Sequence, residues 1–147
     1  MRKVFVLLMA LGLGIGSFAQ VRKIPAAVTE AFSKKYPKAQ EVEYKDNLIN
    51  VQVHFVLDSA RMTAKFNSDG EWKETEKESE YDAVPADVKD GFQKSKYSTD
   101  WKVKETAIIY MPNDDIRYRL KVEKNDVQKK YLFFDKTGKL TRDSLTI

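Results

Sequence analysis

Two hydrophobic periods run along this chain, and each predicts a different kind of element. Residues 28–36 carry apolar side chains at helical spacing, and residues 88–92 repeat this stripe. Residues 49–57 and 116–122 alternate instead between apolar and polar side chains, which predicts strands with one buried face. The chain is therefore expected to combine helices with half-buried strands. The inward positions of the first such strand are expected to be Ile49, Val51, Val53, Phe55 and Leu57.

Longer segments recur in a fixed order, which indicates a duplication. IPAAVTEAFSKKY at residues 24–36 aligns with VPADVKDGFQKSKY at residues 84–97. FNSDGEW at residues 66–72 and FDKTGKL at residues 134–140 then close the two copies as hairpins. Each copy reads as one helix followed by four strands with short turns between them, and hairpin links make neighbouring strands antiparallel.

The boundaries of the copies follow from local signals. The polar segment EKESEYDA, residues 76–83, is predicted to link them, and the copies are assigned to residues 20–79 and 80–147. Pro25 and Pro85 suit the first position of each helix, where no backbone N–H is needed.

Several scaffold residues of the first copy form a recognisable pattern. A proline opens the helix, Phe-x-x-x-Tyr-Pro closes it, and Val-x-Tyr, an alternating strand and Phe-x-x-x-Gly-x-Trp follow. The residues that carry the pattern are Ile24, Pro25, Phe32, Tyr36, Pro37, Val42, Tyr44 and the segment 66–72. This pattern resembles the PepSY-like family of exported bacterial proteins, which is also described as beta-lactamase-inhibitor-like. The second copy departs from it, since no proline follows Tyr97 and Leu140 replaces the tryptophan.

The resemblance implies an α+β fold of two tandem units, each a helix with a four-stranded antiparallel sheet. The strands of the two units can join into one curved sheet with the helices on one face. The resemblance also implies binding or inhibition rather than catalysis. Because the matching positions are scaffold residues, it assigns no binding residue.

The N-terminus resembles a secretory signal. Arg2 and Lys3 precede an apolar run over residues 4–15, and small residues Ser17 and Ala19 occupy the positions that signal peptidase reads. This predicts a signal peptide over residues 1–19, cut after Ala19, and a periplasmic or secreted protein. The alternative, an N-terminal anchor, would need an apolar run of about 20 residues. No later run is that long, so no membrane span is expected after cleavage.

Charge and cysteine content exclude several functions. Removal of Arg2 and Lys3 lowers the formal net charge from +4 to +2, and so small an excess, in an exported protein, argues against nucleic-acid binding. The absence of cysteine excludes disulfides, thiolate nucleophiles and cysteine metal sites. The core alone must therefore stabilise the fold.

No residue pattern predicts catalysis, a metal or a cofactor. His54 is the one histidine, and although Ser59 and Asp58 are nearby in sequence, an exposed strand histidine is favoured over a catalytic triad. The NSDG and NDD segments resemble parts of calcium loops but lack the closing glutamate, so turns are predicted there. The sequence has no glycine-rich phosphate loop.

The polar side chains of the strands predict a surface on the side of the sheet away from the helices. Basic and aromatic residues predominate there, which favours a protein or peptide partner with an acidic surface, with arginine and tyrosine as anchors. The alternative is a solvated face whose lysines discourage aggregation. The predicted binding residues are Arg61, Lys65, Arg117, Arg119, Lys121, Lys129, Tyr131 and Phe133.

Three functions are compatible with these patterns. The leading hypothesis is an exported, non-enzymatic binding module that inhibits or regulates a secreted or envelope protein. The alternative is a periplasmic carrier of a small or lipidic ligand held between helices and sheet, although many inward aromatics indicate that this space is filled. An enzyme is the third, and it would need His54 in a cleft beside a serine and a carboxylate.

Overall fold

The structure is a computed structural model that describes residues 23–145, so the predicted signal peptide lies outside the described residues. Within that range it has two α-helices, eight strands and two short 3-10 turns. The helices are α1 (Ala26–Lys35) and α2 (Ala86–Gln93). The strands are β1 (Gln40–Asp46), β2 (Val51–Leu57), β3 (Ala60–Phe66), β4 (Trp72–Ser79), β5 (Lys102–Tyr110), β6 (Ile116–Glu123), β7 (Lys129–Asp135) and β8 (Leu140–Leu145). The 3-10 turns are Tyr81–Ala83 and Pro112–Asp114.

All eight strands form one open antiparallel sheet in the order of the sequence, from β1 to β8. Each helix precedes a run of four strands, so the predicted α+β fold of two tandem units is confirmed. The units join where β4 pairs with β5, from Thr75 opposite Tyr110 to Ser79 opposite Thr106. The two sheets are therefore continuous.

The predicted linker over residues 76–83 is wrong in its first half. Residues 76–79 belong to β4 and pair with β5, and only the segment that contains the 3-10 turn Tyr81–Ala83 connects the units. The segment is charged because Glu76 and Glu78 lie on a face of the sheet that no helix covers. Charge alone could not distinguish such a strand from a linker.

Ile49 does not lie in a strand, contrary to prediction. β2 begins at Val51, and Ile49 is 84% exposed in the preceding turn. The Asn47 N–H donates to the carbonyl of Asn50 at 2.9 Å, and Asp46 accepts a hydrogen bond from the next turn residue. These bonds close the hairpin and place Ile49 at its tip.

Each helix packs on the same side of the sheet over its own four strands. In α1, Val28 and Phe32 are buried against strand residues that include Phe55 and Phe66. In α2, Val88 and Phe92 occupy the equivalent positions, and they pack on a second apolar cluster. The strand residues of that cluster include Leu120, Val122, Leu132 and Phe134. Pro25 and Pro85 stand just before the first helical residues, one position earlier than predicted.

The two hairpins that close the units touch the helices through glycine. Gly70 and Gly138 both adopt positive φ, 89° and 79°, which favours glycine. A Cβ on Gly70 would lie 2.6 Å from the Ala27 carbonyl oxygen, and one on Gly138 would lie 2.0 Å from that of Asp87. The repeated glycine thus allows hairpin and helix backbones to meet in both units.

A tyrosine after each helix bonds to the last strand of its unit. The Tyr36 hydroxyl lies 2.5 Å from the Thr75 hydroxyl, and the Tyr97 hydroxyl donates to the Asp143 carboxylate. Burial raises the pKa of both phenols. The hydrogen bond from Tyr97 lowers the pKa of Asp143.

The open face of the sheet

The side of the sheet that carries no helix is called the open face below. In β3, Ala64 and Phe66 belong to the core, so the alternate residues point away from the helices. In β6, Leu120 and Val122 are likewise buried under α2. The strand registers therefore place all eight predicted binding residues on the open face. These residues are Arg61, Lys65, Arg117, Arg119, Lys121, Lys129, Tyr131 and Phe133.

Acidic residues that the sequence prediction missed lie among these basic ones. Opposite the end of β3, Lys65 pairs with Glu74 and Phe66 pairs with Trp72, so Lys73 is an extra, bulged residue. The bulge reverses the alternation along β4. It turns Glu74 to the open face and Thr75 inward to Tyr36.

A second bulge, at the equivalent place in β8, reverses the alternation of side chains in the second unit. Phe133 pairs with Arg142 and Phe134 pairs with Leu140, so Thr141 is the extra residue in β8. Leu140 points toward the helices, so strict alternation along β8 would have pointed Arg142 toward the helices as well. The bulge brings it to the open face instead, where it contacts Phe133.

Most basic side chains of the open face already have an acidic neighbour. Among the six basic residues of the prediction, only Arg61 has no carboxylate contact in the part of the chain that the structure describes. The ion pairs are Lys65–Glu74 at 2.6 Å, Arg119–Glu76 at 2.6 Å, Lys121–Glu105 at 2.5 Å, Arg117–Asp115 at 3.1 Å and Lys129–Glu123 at 3.3 Å. The face is therefore striped with both charges rather than uniformly basic.

The Arg119–Glu76 pair bridges the two units across β5. The Arg119 guanidinium bonds both oxygens of Glu76, at 2.6 and 2.9 Å, and its carbon lies 4.5 Å from the Tyr131 ring centroid. Both charged side chains are less than one-fifth exposed. Burial raises the pKa of Glu76, against the opposing effect of Arg119. The two hydrogen bonds to Glu76 fix the orientation of the Arg119 guanidinium, which stacks on the Tyr131 ring.

A cleft of about 480 Å³ lies next to this bridge. Ile109 lies in it and is only 4% exposed, although it points to the open face. The Arg142 guanidinium lies 4.0 Å from the Phe133 ring centroid at the other side of the cleft. A second cleft, of about 620 Å³, lies at the other end of the β4–β5 joint, and Arg61 and Glu105 are among its lining residues. Arg119 lines both clefts.

His54 lies on the open face and has a threonine as its neighbour. Its Nδ1 atom is 3.0 Å from the Thr63 hydroxyl oxygen. Among the described residues, no group of three or more His, Cys, Asp or Glu side chains could hold a metal ion.

Side chains fill the space between the first helix and the sheet, where the carrier hypothesis places a ligand. The Phe32 ring lies 5.0 Å from Phe55, 5.5 Å from Tyr36 and 5.7 Å from Tyr44, mostly edge to face. Phe66 is fully buried in the same cluster. Within residues 23–145, neither helix has the length and apolar content needed to cross a membrane.

Comparison with known proteins identifies the family. The profile of the family described as "Putative beta-lactamase-inhibitor-like, PepSY-like" matches residues 19–58 and 50–142. The chain belongs to this PepSY-like family, as its scaffold residues predicted. No curated protein matches the sequence.

Solved structures share the fold. A DUF2874 family protein from Bacteroides uniformis has a TM-score of 0.75 and 24% identity, with 82% of this chain and 88% of its own covered. A protein from Bacteroides eggerthii described as "putative periplasmic" has a TM-score of 0.74 and 23% identity, with 84% and 90% covered. A BLIP-like protein from Bacteroides fragilis has a TM-score of 0.73 and 23% identity, with 86% and 89% covered. At this identity the likeness concerns the fold.

Proposed function

We propose that this chain is an exported, non-enzymatic binding module that holds a protein or peptide against its open face. The observation that carries the proposal is the set of stacked arginines and aromatics on that face. Arg119 covers Tyr131 and Arg142 covers Phe133, within the second unit. Arginine and tyrosine are enriched among the residues that dominate protein–protein binding energies.

The preformed side chains support this use. An arginine that is already stacked on a ring and bonded to a carboxylate loses little rotamer freedom when a partner binds. Arg119 has both restraints. The open face therefore offers ordered anchors on strands rather than on loops.

The partner is proposed to have an acidic surface, and the binding residues are proposed to be the eight that the sequence predicts. Arg61 and Arg117 are the exposed guanidinium groups among them, and the side chain of Asp115, the neighbour of Arg117, is 45% exposed. A partner carboxylate can replace such a weak surface pair. We further propose inhibition or regulation of a secreted or envelope protein, which the BLIP-like name of one structural relative supports. The periplasmic description of another supports export.

The test compares two double variants with the same change in charge. Arg61→Glu with Arg117→Glu alters the open face, whereas Lys34→Glu with Lys38→Glu alters exposed residues beside α1. Each protein is used to capture partners from the cell envelope of the producing organism, and captured proteins are identified by mass spectrometry. Affinity is then measured by calorimetry with the purified partner. Circular dichroism and thermal melts establish that both variants fold.

The proposal predicts a partner that the wild-type protein and the Lys34/Lys38 variant bind alike. The open-face variant should bind it at least about tenfold more weakly, which corresponds to about 1.4 kcal/mol. Equal affinity for all three proteins would refute the role of the open face. Turnover of a substrate by the purified protein would refute the non-enzymatic assignment.

A further inference from the structure

We infer that the 480 Å³ cleft beside the β4–β5 joint binds a carboxylate side chain together with a neighbouring apolar one, both from an acidic peptide segment. Arg142 is the proposed carboxylate ligand, and Met111 and Phe133 are the proposed apolar contacts. The inference rests on the proposed function in one respect, since it takes the segment to belong to a protein partner.

Charge is the first observation. The cleft is lined by four basic and two acidic side chains, a formal net charge of +2. Glu74 and Glu76 are already paired, with Lys65 and Arg119 respectively. Of the other two arginines, Arg117 pairs with Asp115, which does not line the cleft. The positive charge of Arg142 remains, and it favours an anion.

Arg142 is the basic residue of the cleft with the most available donors. Within the described residues its contact is with the Phe133 ring, and no carboxylate lies within ion-pair distance of it. An arginine stacked on a ring uses its π-face, so the five N–H donors at its edge stay available. Those donors match the two oxygens of a carboxylate.

The apolar surface of the cleft is the second observation. Phe133 and Met111 line the cleft and are partly exposed, whereas Ile109 lines it with little exposed surface. A carboxylate bound next to such surface is partly removed from water, which strengthens its ion pair. An acidic residue two positions from an apolar one in an extended segment meets both requirements, because residues i and i+2 point to the same side.

The duplication supplies an internal comparison. Lys65 and Glu74 occupy in the first unit the places that Phe133 and Arg142 occupy in the second, across equivalent bulges. In the first unit the two side chains form an ion pair of 2.6 Å, so the cation is neutralised within the chain. In the second unit a phenyl ring replaces the lysine, and the arginine is left for an external carboxylate.

The test uses two probe peptides that differ only in charge. One is an acetylated, amidated pentapeptide with glutamate at its first position, leucine at its third, phenylalanine at its fifth and serine between them, so that the three side chains share one face when it is extended. The other has glutamine in place of glutamate. Each is titrated into the ¹⁵N-labelled chain while the Nε–Hε signals of the arginines and the backbone amide of Ile109 are followed by NMR. The variants are Arg142→Glu and, with the same charge change on α1 at the other side of the sheet, Lys34→Glu.

The glutamate peptide should shift the signals of Arg142 and Ile109, and the glutamine peptide should leave them unchanged. Arg142→Glu should weaken binding by at least about tenfold, as expected for a lost charge-assisted pair, whereas Lys34→Glu should change it less than about twofold. Equal weakening by both variants would mean non-specific attraction and would overturn the inference. Equal shifts with both peptides would also overturn it. The comparison of the two peptides on wild-type protein needs no variant to fold.

The outcomes separate this inference from the proposed function. If the peptide binds at Arg142 but the envelope yields no partner that depends on the open face, the cleft is a carboxylate site and the proposed function fails. If a captured partner depends on Arg61 and Arg117 while the peptide leaves Arg142 unshifted, the proposed function stands and this inference fails.

Discussion

Gly91 offers a test of how closely α2 approaches the β7–β8 hairpin. A Cβ at this position would lie 1.9 Å from the Gly138 carbonyl oxygen, well inside the 3.0 Å that real Cβ contacts require. Helix and hairpin would have to separate by more than 1 Å, and the obstacle is backbone rather than a movable side chain. We therefore expect Gly91→Ala to destabilise the protein, even though alanine is the better helix former.

The magnitude follows from two opposing effects. Alanine in place of a helical glycine contributes about 1 kcal/mol of stability. Overpacking of this kind costs typically 1–3 kcal/mol, and we take about 3 kcal/mol because the clash is with backbone. The net loss of about 2 kcal/mol corresponds to a fall in melting temperature of roughly 8 °C for a domain of this size.

Thermal melts followed by circular dichroism measure the change. The matched control is Ala31→Gly, because Ala31 occupies in α1 the position that Gly91 occupies in α2. This control makes the opposite substitution. It should lose about 1 kcal/mol through helix propensity. If Gly91→Ala melted at or above the wild-type temperature, the close approach of α2 and the hairpin would be refuted.

Two further predictions concern pH. Because burial raises the pKa of Glu76 above its ordinary value of about 4.5, its ionisation opposes folding as pH rises from that value through the folded pKa. Glu76→Gln should therefore gain stability relative to wild type between about pH 4 and pH 7 in urea denaturation, and a constant difference would contradict this. Tyr97→Phe removes the hydrogen bond to Asp143 and should cost about 1 kcal/mol of stability at pH 7. The cost should be smaller near pH 3, because this hydrogen bond lowers the pKa of Asp143 and the stability that it contributes is lost as the carboxylate protonates. Tyr36→Phe, which loses a bond to the neutral Thr75, should show no such pH dependence, and parallel pH profiles of the two variants would be the contrary result.

The two units have kept their scaffold and changed their open faces. Both retain the buried helix phenylalanine, the glycine of the closing hairpin, the tyrosine bond to the last strand and a bulge in that strand. The residues next to the bulges differ, since an ion pair in the first unit corresponds to a stacked arginine in the second. A duplicated scaffold with different outward side chains is consistent with a binding surface in which each half has its own contacts.

The hydrophobic pattern was enough to predict most of the helices and strands and the repeat. Helical spacing in residues 28–36 and alternation in residues 51–57 reflect burial on one side, and burial is a property that local periods report directly. The inward faces of β2, β3, β6 and β7 and all eight predicted open-face residues follow from that alternation. Tandem copies of the same pattern were also enough to predict two similar units.

Which residues of β4 and β8 share the open face depends on how these strands pair with their neighbours. One bulged residue in each strand reverses every side chain after it, and no local period marks its position. Glu74 and Arg142 are therefore on the open face, although strict alternation would place them inward. Pairing with β5 likewise places residues 76–79, which the sequence predicts as a linker, in the second half of β4. The charge pattern of the open face depends on these pairings, which arise from backbone hydrogen bonds rather than from side-chain polarity.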